Sequence, residues 1–175
     1  DRKNIGSKSI SYAMNLNQTR LAEKNGYTDS LLLNKDGIVL EGPTFCVSWI
    51  IDNKIYVPDL ELGILDSITR RSLIDIANET DLDLEISRIH INDIYDVDTV
   101  FALSTAKHAI FVSKIDDQVY TQSPVLEKIR HSFTEYIEEE RVFEGQKQAR
   151  LMGSSKTQNN TTTTTTITAT SNDLC

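Results

Sequence analysis

The sequence predicts a mixed α/β domain over residues 1–145 and a disordered tail over residues 146–175. Three observations carry this expectation. Apolar residues alternate between helical spacing and short strand-like runs through the first part of the chain. Asn, Asp and Gly clusters separate several runs at hairpin distance, which favours a mixed or antiparallel sheet over a doubly wound parallel one. Near Gly145 the composition turns to Gly, Ser, Asn, Gln and Thr, with an unbroken run from Thr161 to Thr166.

The elements follow in order. Tyr12 to Lys24 spaces Tyr12, Met14, Leu16, Leu21 and Ala22 among polar residues, and Gly26 just beyond it reads as a helix stop. Ser30 to Leu33 is a short strand, Asn34 to Gly37 a turn, and Ile38 to Leu40 the return. Phe45 to Ile51 is a buried strand that turns at Asp52–Asn53 into Lys54 to Val57. Ser67 N-caps a helix from Ile68 to Glu79, in which Leu73, Ile74, Ile76 and Ala77 hold helical spacing. Leu82, Leu84 and Ile86 alternate with Asp83, Glu85 and Ser87 as a half-buried strand. Thr99 to Leu103 and Ala109 to Ile115 are two more strands, and Gln118 to Tyr120 pairs back across Asp116–Asp117. Pro124 opens the last helix, with Val125, Ile129, Phe133, Tyr136 and Ile137 on one stripe.

The apolar fraction of 39% is low for a compact domain, but the deficit is local to the tail, so the rest can bury a core. Between Gly153 and Ser171 the only strongly apolar residue is Ile167, too little to offset the entropy of ordering that segment. A threonine ribbon is the rival reading of the tail, and the lack of alternation argues against it. A net charge of −8 repels phosphate backbones and disfavours nucleic acid as a partner. No run of 18 apolar residues exists, so no membrane partner is expected. Cys46 and Cys175 build no disulfide framework, which fits a reduced cytoplasmic setting. The chain opens without Met, as the C-terminal part of a longer protein would.

Most general motifs of chemistry are absent: no phosphate loop, GxGxxG, CxxC, HExxH or GxSxG occurs. His90, His108 and His131 are scattered and read as surface or strand-end residues, and no metal site is expected. Asp81, Asp83 and Glu85 share one strand face, read as a solvated one.

Four phrases remain: GSKSISY (Gly6 to Tyr12), LEGPTFCVSWI (Leu40 to Ile50), LGILDSITRR (Leu62 to Arg71) and VFALSTAKHAIFV (Val100 to Val112). In this order they resemble the class IV aminotransferases over about Lys8 to Glu140. That family depends on pyridoxal 5′-phosphate. It includes branched-chain aminotransferases, D-amino-acid aminotransferases and aminodeoxychorismate lyases. The resemblance implies the large, C-terminal domain of the D-amino-acid-aminotransferase-like fold, a mixed-sheet pseudo-barrel with flanking helices.

The resemblance also implies roles. Lys8 is the lysine that holds the cofactor aldehyde and, once freed by substrate, acts as general base and acid. Glu41, in the Glu-Gly phrase, is the carboxylate beside the pyridine nitrogen, where a nearby negative charge favours the protonated ring. The amides of Ile68 and Thr69 bind the phosphate at a helix start, where N–H donors and the helix dipole favour an anion. Thr105 is the second phosphate-binding threonine. Leu65 packs on the ring face or is ordinary core. Tyr12 contacts the cofactor's phenolic oxygen or only packs.

Cys46 stands where the family often has Asn, and Ser104 where it often has Gly. Thr44 and Phe45 occupy positions that vary with substrate in the family. The family also carries a smaller N-terminal domain ahead of the lysine, so the resemblance implies a fragment whose parent is a homodimer. Three functions stay open: transamination between an amino acid and a 2-oxo acid, an elimination of the aminodeoxychorismate-lyase type, and a non-catalytic module that keeps the fold.

Overall fold

The computed structural model describes residues 13–105 and 108–155. They fall into two units divided between Ile137 and Glu138. The first holds helices α1 (Ala13–Lys24), α2 (Ile68–Glu79) and α3 (Ile91–Ile94). Its strands are β1 (Leu32–Leu33), β2 (Val39–Glu41), β3 (Cys46–Ile51), β4 (Lys54–Pro58), β5 (Leu84–Ser87), β6 (Thr99–Ser104), β7 (His108–Val112), β8 (Lys114–Ile115) and β9 (Gln118–Val119). Helix α4 runs Pro124–Ser155.

The central sheet has the order β5-β4-β3-β6-β7. Its pairs are antiparallel except β4 with β5, which run parallel, so the sheet is mixed as expected. The β3–β4 hairpin closes through Asp52 (φ 51) and Asn53 (φ 66), two consecutive left-handed residues that match the twist of the strands they join. The Asp52 N–H also donates to Asp98 Oδ2 at 2.8 Å, which ties the hairpin tip to the entrance of β6. Strands β1 and β2 form a separate ribbon across the Asn34–Gly37 turn. Asn34 Oδ1 there accepts from the N–H groups of Asp36 and Ile38, both at 2.9 Å. An Ile38–His90 bridge joins the ribbon to the chain leaving β5.

Each face of the sheet buries its own core. On β3, Cys46 and Ile50 lie in one core, and Val47 and Trp49 in the other, the period-2 alternation of a strand covered on both sides. The first core packs Ile55, Val57, Phe101 and Leu103 against Leu73 and Ile76 of α2 and Leu126, Ile129 and Phe133 of α4. The second collects Val39, Ile94, Val97, Val100 and Tyr120, with Trp49 stacked on Tyr56 at a centroid distance of 6.0 Å.

The structure departs from the sequence expectation in several places. The run expected as one strand over Ala109 to Ile115 breaks at Ser113 into β7 and β8, which lie in different sheets. The first strand is only Leu32–Leu33. Ile86 is exposed, because β5 is an edge strand and its outer side is bare. The 3-10 turn Leu60–Leu62 and helix α3 were not expected; each spans four residues or fewer, too short to show a helical period. Helix α4 runs on through residues 146–155, where a structureless tail was expected. Gln146, Lys147, Gln148, Ala149, Arg150, Leu151 and Met152 are all good helix formers, so Gly145 interrupts the propensity without ending the helix. Residues 156–175 lie outside the described residues.

Candidate functional site

Three chain segments converge at one end of the central sheet. Strand β3 begins there, with Cys46 paired to Leu103 near the end of β6, so the loop 42–45 and Thr105 flank the same edge. Strand β4 runs antiparallel to β3 and ends there at Pro58, delivering the loop 59–67 that leads into α2. The ends of β4 and β6 and the start of β3 thus bring Glu41, Leu65, Ile68, Thr69 and Thr105 to one rim.

Glu41 closes β2 and is half-buried; its Oε2 accepts the Leu65 N–H at 3.1 Å. Gly42 follows because a Cβ there would run into the Phe45 ring. The loop is closed by the Gly42 N–H donating to the Phe45 carbonyl at 2.8 Å. Helix α1 starts beside this loop, since Asn15 Nδ2 donates to the Pro43 carbonyl at 3.0 Å.

Helix α2 starts as its sequence dictates. Ser67 is extended (φ −74, ψ 149), and its Oγ accepts the Arg70 N–H at 3.2 Å. The Ser67 N–H donates to the Leu65 carbonyl at 2.9 Å, and the Arg71 N–H to the Ser67 carbonyl at 3.1 Å. The N–H groups of Ile68 and Thr69 make no hydrogen bond among the described residues. They are the orphan donors of a helix start, presented at the rim with the positive end of the helix dipole behind them. A phosphate group needs just such donors. The Ile68 side chain is 64% exposed, and Thr69 is buried. Leu65 is half-buried and Thr105 is exposed in the turn after β6.

Behind this turn lies Arg70, which the sequence reading left unassigned. Its guanidinium is 3% exposed; Nε donates to the Pro58 carbonyl at 3.0 Å, and Nη1 lies 3.6 Å from Asp66 Oδ1. The signal for it was in the sequence: Arg70 shares a helical stripe with Leu73 and Ala77, the buried face of α2. Burial pushes the Cys46 thiol up to about 12, with the charge of Arg70 pulling it down and that of Glu41 pushing it up. Cys46 thus fills the strand as a neutral, apolar residue. Lys8 and Tyr12 lie outside the described residues.

The histidines carry no shared site. His90 caps α3, its Nδ1 accepting the Asn92 N–H at 3.1 Å; His108 stacks on Phe133; His131 is exposed beside Glu135. Among the described residues no cluster of His, Cys, Asp and Glu could hold a metal ion. No helix among them is long and apolar enough to cross a membrane.

Comparison with known proteins bears on this rim. The family described as amino-transferase class IV matches residues 1–115. A protein of Rickettsia bellii described as "Probable branched-chain-amino-acid aminotransferase" is 33% identical over 113 residues, 64% of this chain and 39% of the relative. The aminodeoxychorismate lyase of Bacillus subtilis is 30% identical over 113 residues, 65% of this chain and 39% of the relative. Among solved structures, the branched-chain aminotransferase of Thermoproteus uzoniensis with norvaline superposes with a TM-score of 0.72 at 27% identity, covering 75% of this chain and 45% of that one. The PLP-bound form of a hypothetical aminotransferase from Mycobacterium tuberculosis gives 0.69 at 26% identity, covering 73% and 45%. The chain thus spans about two fifths of the length of the curated relatives it matches.

Proposed function

The chain belongs to the class IV aminotransferase family, and on that premise we propose that it is the cofactor-binding large domain of a pyridoxal-phosphate-dependent transaminase. The substrates are an amino acid and a 2-oxo acid, of the branched-chain or D-amino-acid type, and the longer protein is a cytoplasmic homodimer. The observation that carries this is the pair of unpartnered N–H groups on Ile68 and Thr69, in a turn whose Leu65 N–H is bound by the Glu41 carboxylate. A phosphate on two helix-start donors with a carboxylate braced against the same turn fits the donor set that this cofactor requires.

Pyridoxal phosphate, when bound, supplies an electron sink for the substrate α-carbon. The chain's own residues do the rest. Ile68 and Thr69 N–H groups and the Thr105 hydroxyl bind the phosphate. Glu41 holds a proton at the pyridine nitrogen, since an opposite charge within about 4–6 Å favours the charged ring by 1–3 pKa units. Leu65 packs against the ring face. Lys8 holds the cofactor covalently and then moves the proton at the substrate α-carbon. Four residues lie between Lys8 and Ala13, the start of α1, and the five residue-to-residue steps reach up to roughly 18 Å. Because α1 starts beside the Glu41 loop, that reach supports Lys8 as the attachment point. Tyr12 contacts the phenolic oxygen of the cofactor.

The similarity to the Bacillus subtilis aminodeoxychorismate lyase favours a second reading, elimination with the same lysine. Incubation of the 175-residue chain with pyridoxal phosphate, reduction with borohydride and peptide mapping tests the site. The label is expected on Lys8, and a label on another lysine overturns the assignment. A half-reaction on the longer protein separates the two activities. A transaminase leaves the cofactor in its amine form, whereas a lyase returns the aldehyde form and releases pyruvate.

A further inference from the structure

We propose that Arg70 is a positioning residue for the cofactor phosphate: its buried guanidinium locks the turn 65–69 to the end of β4 and so fixes the Ile68 and Thr69 N–H groups. This rests on the phosphate reading above and adds to it a residue that never touches the ligand.

Arginine is almost never fully buried unless its charge is paired. At 3% exposure Arg70 has modest compensation: the Pro58 carbonyl at 3.0 Å on Nε, and Asp66, itself half-exposed, at 3.6 Å from Nη1. The two partners define what the side chain does. Pro58 is the last residue of β4, and Asp66 is the residue before the helix cap. One planar fork therefore spans from the sheet to the turn that carries the phosphate donors. On the other side, the Leu65 N–H is held by Glu41 at 3.1 Å. The turn is clamped from both sides, by a carboxylate from β2 and a guanidinium anchored on β4.

The charge matters as well as the brace. Arg70, anchored on Pro58 at the end of β4, and Glu41, bonded to Leu65, flank the same end of the sheet, and their charges act in opposite directions on the buried Cys46 thiol there. A cation shielded from water behind two N–H donors raises the positive potential that a dianionic phosphate meets. Arg71 is the contrast. It is 58% exposed, its Nε lies 3.8 Å from Asp66 Oδ2, and water screens it.

Equilibrium dialysis of the full chain against pyridoxal 5′-phosphate and against pyridoxal, which lacks the phosphate, tests the proposal. Thermal unfolding of each variant verifies the fold. The wild type is expected to prefer the phosphorylated aldehyde. Arg70→Met is expected to lose about tenfold of that preference, because the Ile68 and Thr69 N–H donors lose their fixed placement and the buried charge behind them, with little change for pyridoxal. Arg70→Lys keeps the charge but cannot reach both partners, so it falls between the two. Arg71→Met stays near wild type. Equal weakening of both aldehydes in Arg70→Met would mean a purely structural role and overturns the proposal, as does an undiminished preference. If Arg70→Met fails to fold, a folded Arg70→Lys with the wild-type preference overturns it instead. A wild-type chain that binds both aldehydes equally removes the phosphate reading itself, and this proposal with it.

Discussion

Glu41 and Leu65, 24 residues apart, are joined by one hydrogen bond of 3.1 Å from the Leu65 N–H to Glu41 Oε2. This bond sets the spacing between the carboxylate at the end of β2 and the start of α2, the two features proposed to hold opposite ends of the cofactor. Glu41→Gln keeps an oxygen that can accept from Leu65, so the fold should survive while the charge is lost. The proposed transamination by a longer protein is expected to fall by roughly two to three powers of ten if the carboxylate supplies a few kcal/mol of stabilisation. A rate unchanged at saturating cofactor would remove Glu41 from the mechanism.

Cys46 makes the stability depend on alkaline pH. Its thiol titrates near 9.0 when the chain is unfolded and is raised by burial to about 12 in the fold. Between those values the unfolded state binds fewer protons than the folded one, so stability falls as pH rises, by up to about 1.4 kcal/mol per pH unit. Tyr95, held by Asp116, and Tyr120, held by burial, are also raised to about 12 and add to the slope above pH 10. Comparison with Cys46→Ala cancels the tyrosines. That variant should lose about 1 kcal/mol at neutral pH, yet lose less per pH unit above 9. Equal slopes in urea titrations of the two chains would refute the buried thiol. In a Cys175→Ser chain, where Cys46 is the one remaining cysteine, thiol reagents should react slowly until denaturant is added.

Gly42 tests the shape of the Glu41 loop. Any side chain there meets the far end of the Phe45 ring, which is partly buried against the second core and has to shift. Gly42→Ala should destabilise by about 1–3 kcal/mol, in the range of overpacking. For a chain of this size that lowers the melting temperature by roughly 2–4 °C per kcal/mol. The double variant Gly42→Ala, Phe45→Leu should recover part of the loss, and failure to do so would place the clash elsewhere.

The sequence was most legible where a local rule decides the structure. Ser67 and the stripe Leu73, Ile76 predicted α2 at its observed bounds, because a cap and a periodic face are both local signals. The Asp52–Asn53 hairpin was legible for the same reason. What escaped depended on partners far along the chain. Ile86 continues an alternating pattern whose Leu84 still packs on the first core, but only the parallel edge position of β5 decides that Ile86 itself is left exposed. Glu41, Leu65 and Thr105 were chosen by resemblance, and their shared rim follows from the order of the strands, which no single phrase encodes. Arg70 lay in a recognised phrase beside Arg71, and only the periodicity of α2 separates the buried arginine from the exposed one.

The boundary of the folded body gives the last prediction. The stripe of α4 buries Val125, Leu126, Ile129 and Phe133, and Tyr136 packs beside them. Beyond Ile137 the pattern changes: Val142 and Phe143 are exposed, at 59% and 63%. A helix extended by propensity alone is marginal in water and adds little to the stability of what precedes it. A chain ending at Gly145 should therefore melt within a degree or two of the full chain, with less helical signal by circular dichroism, because residues 146–155 are helical. Limited proteolysis should trim the full chain toward the same body. A loss of several degrees would show that residues beyond 145 pack on the domain, and the boundary would move toward Ser155.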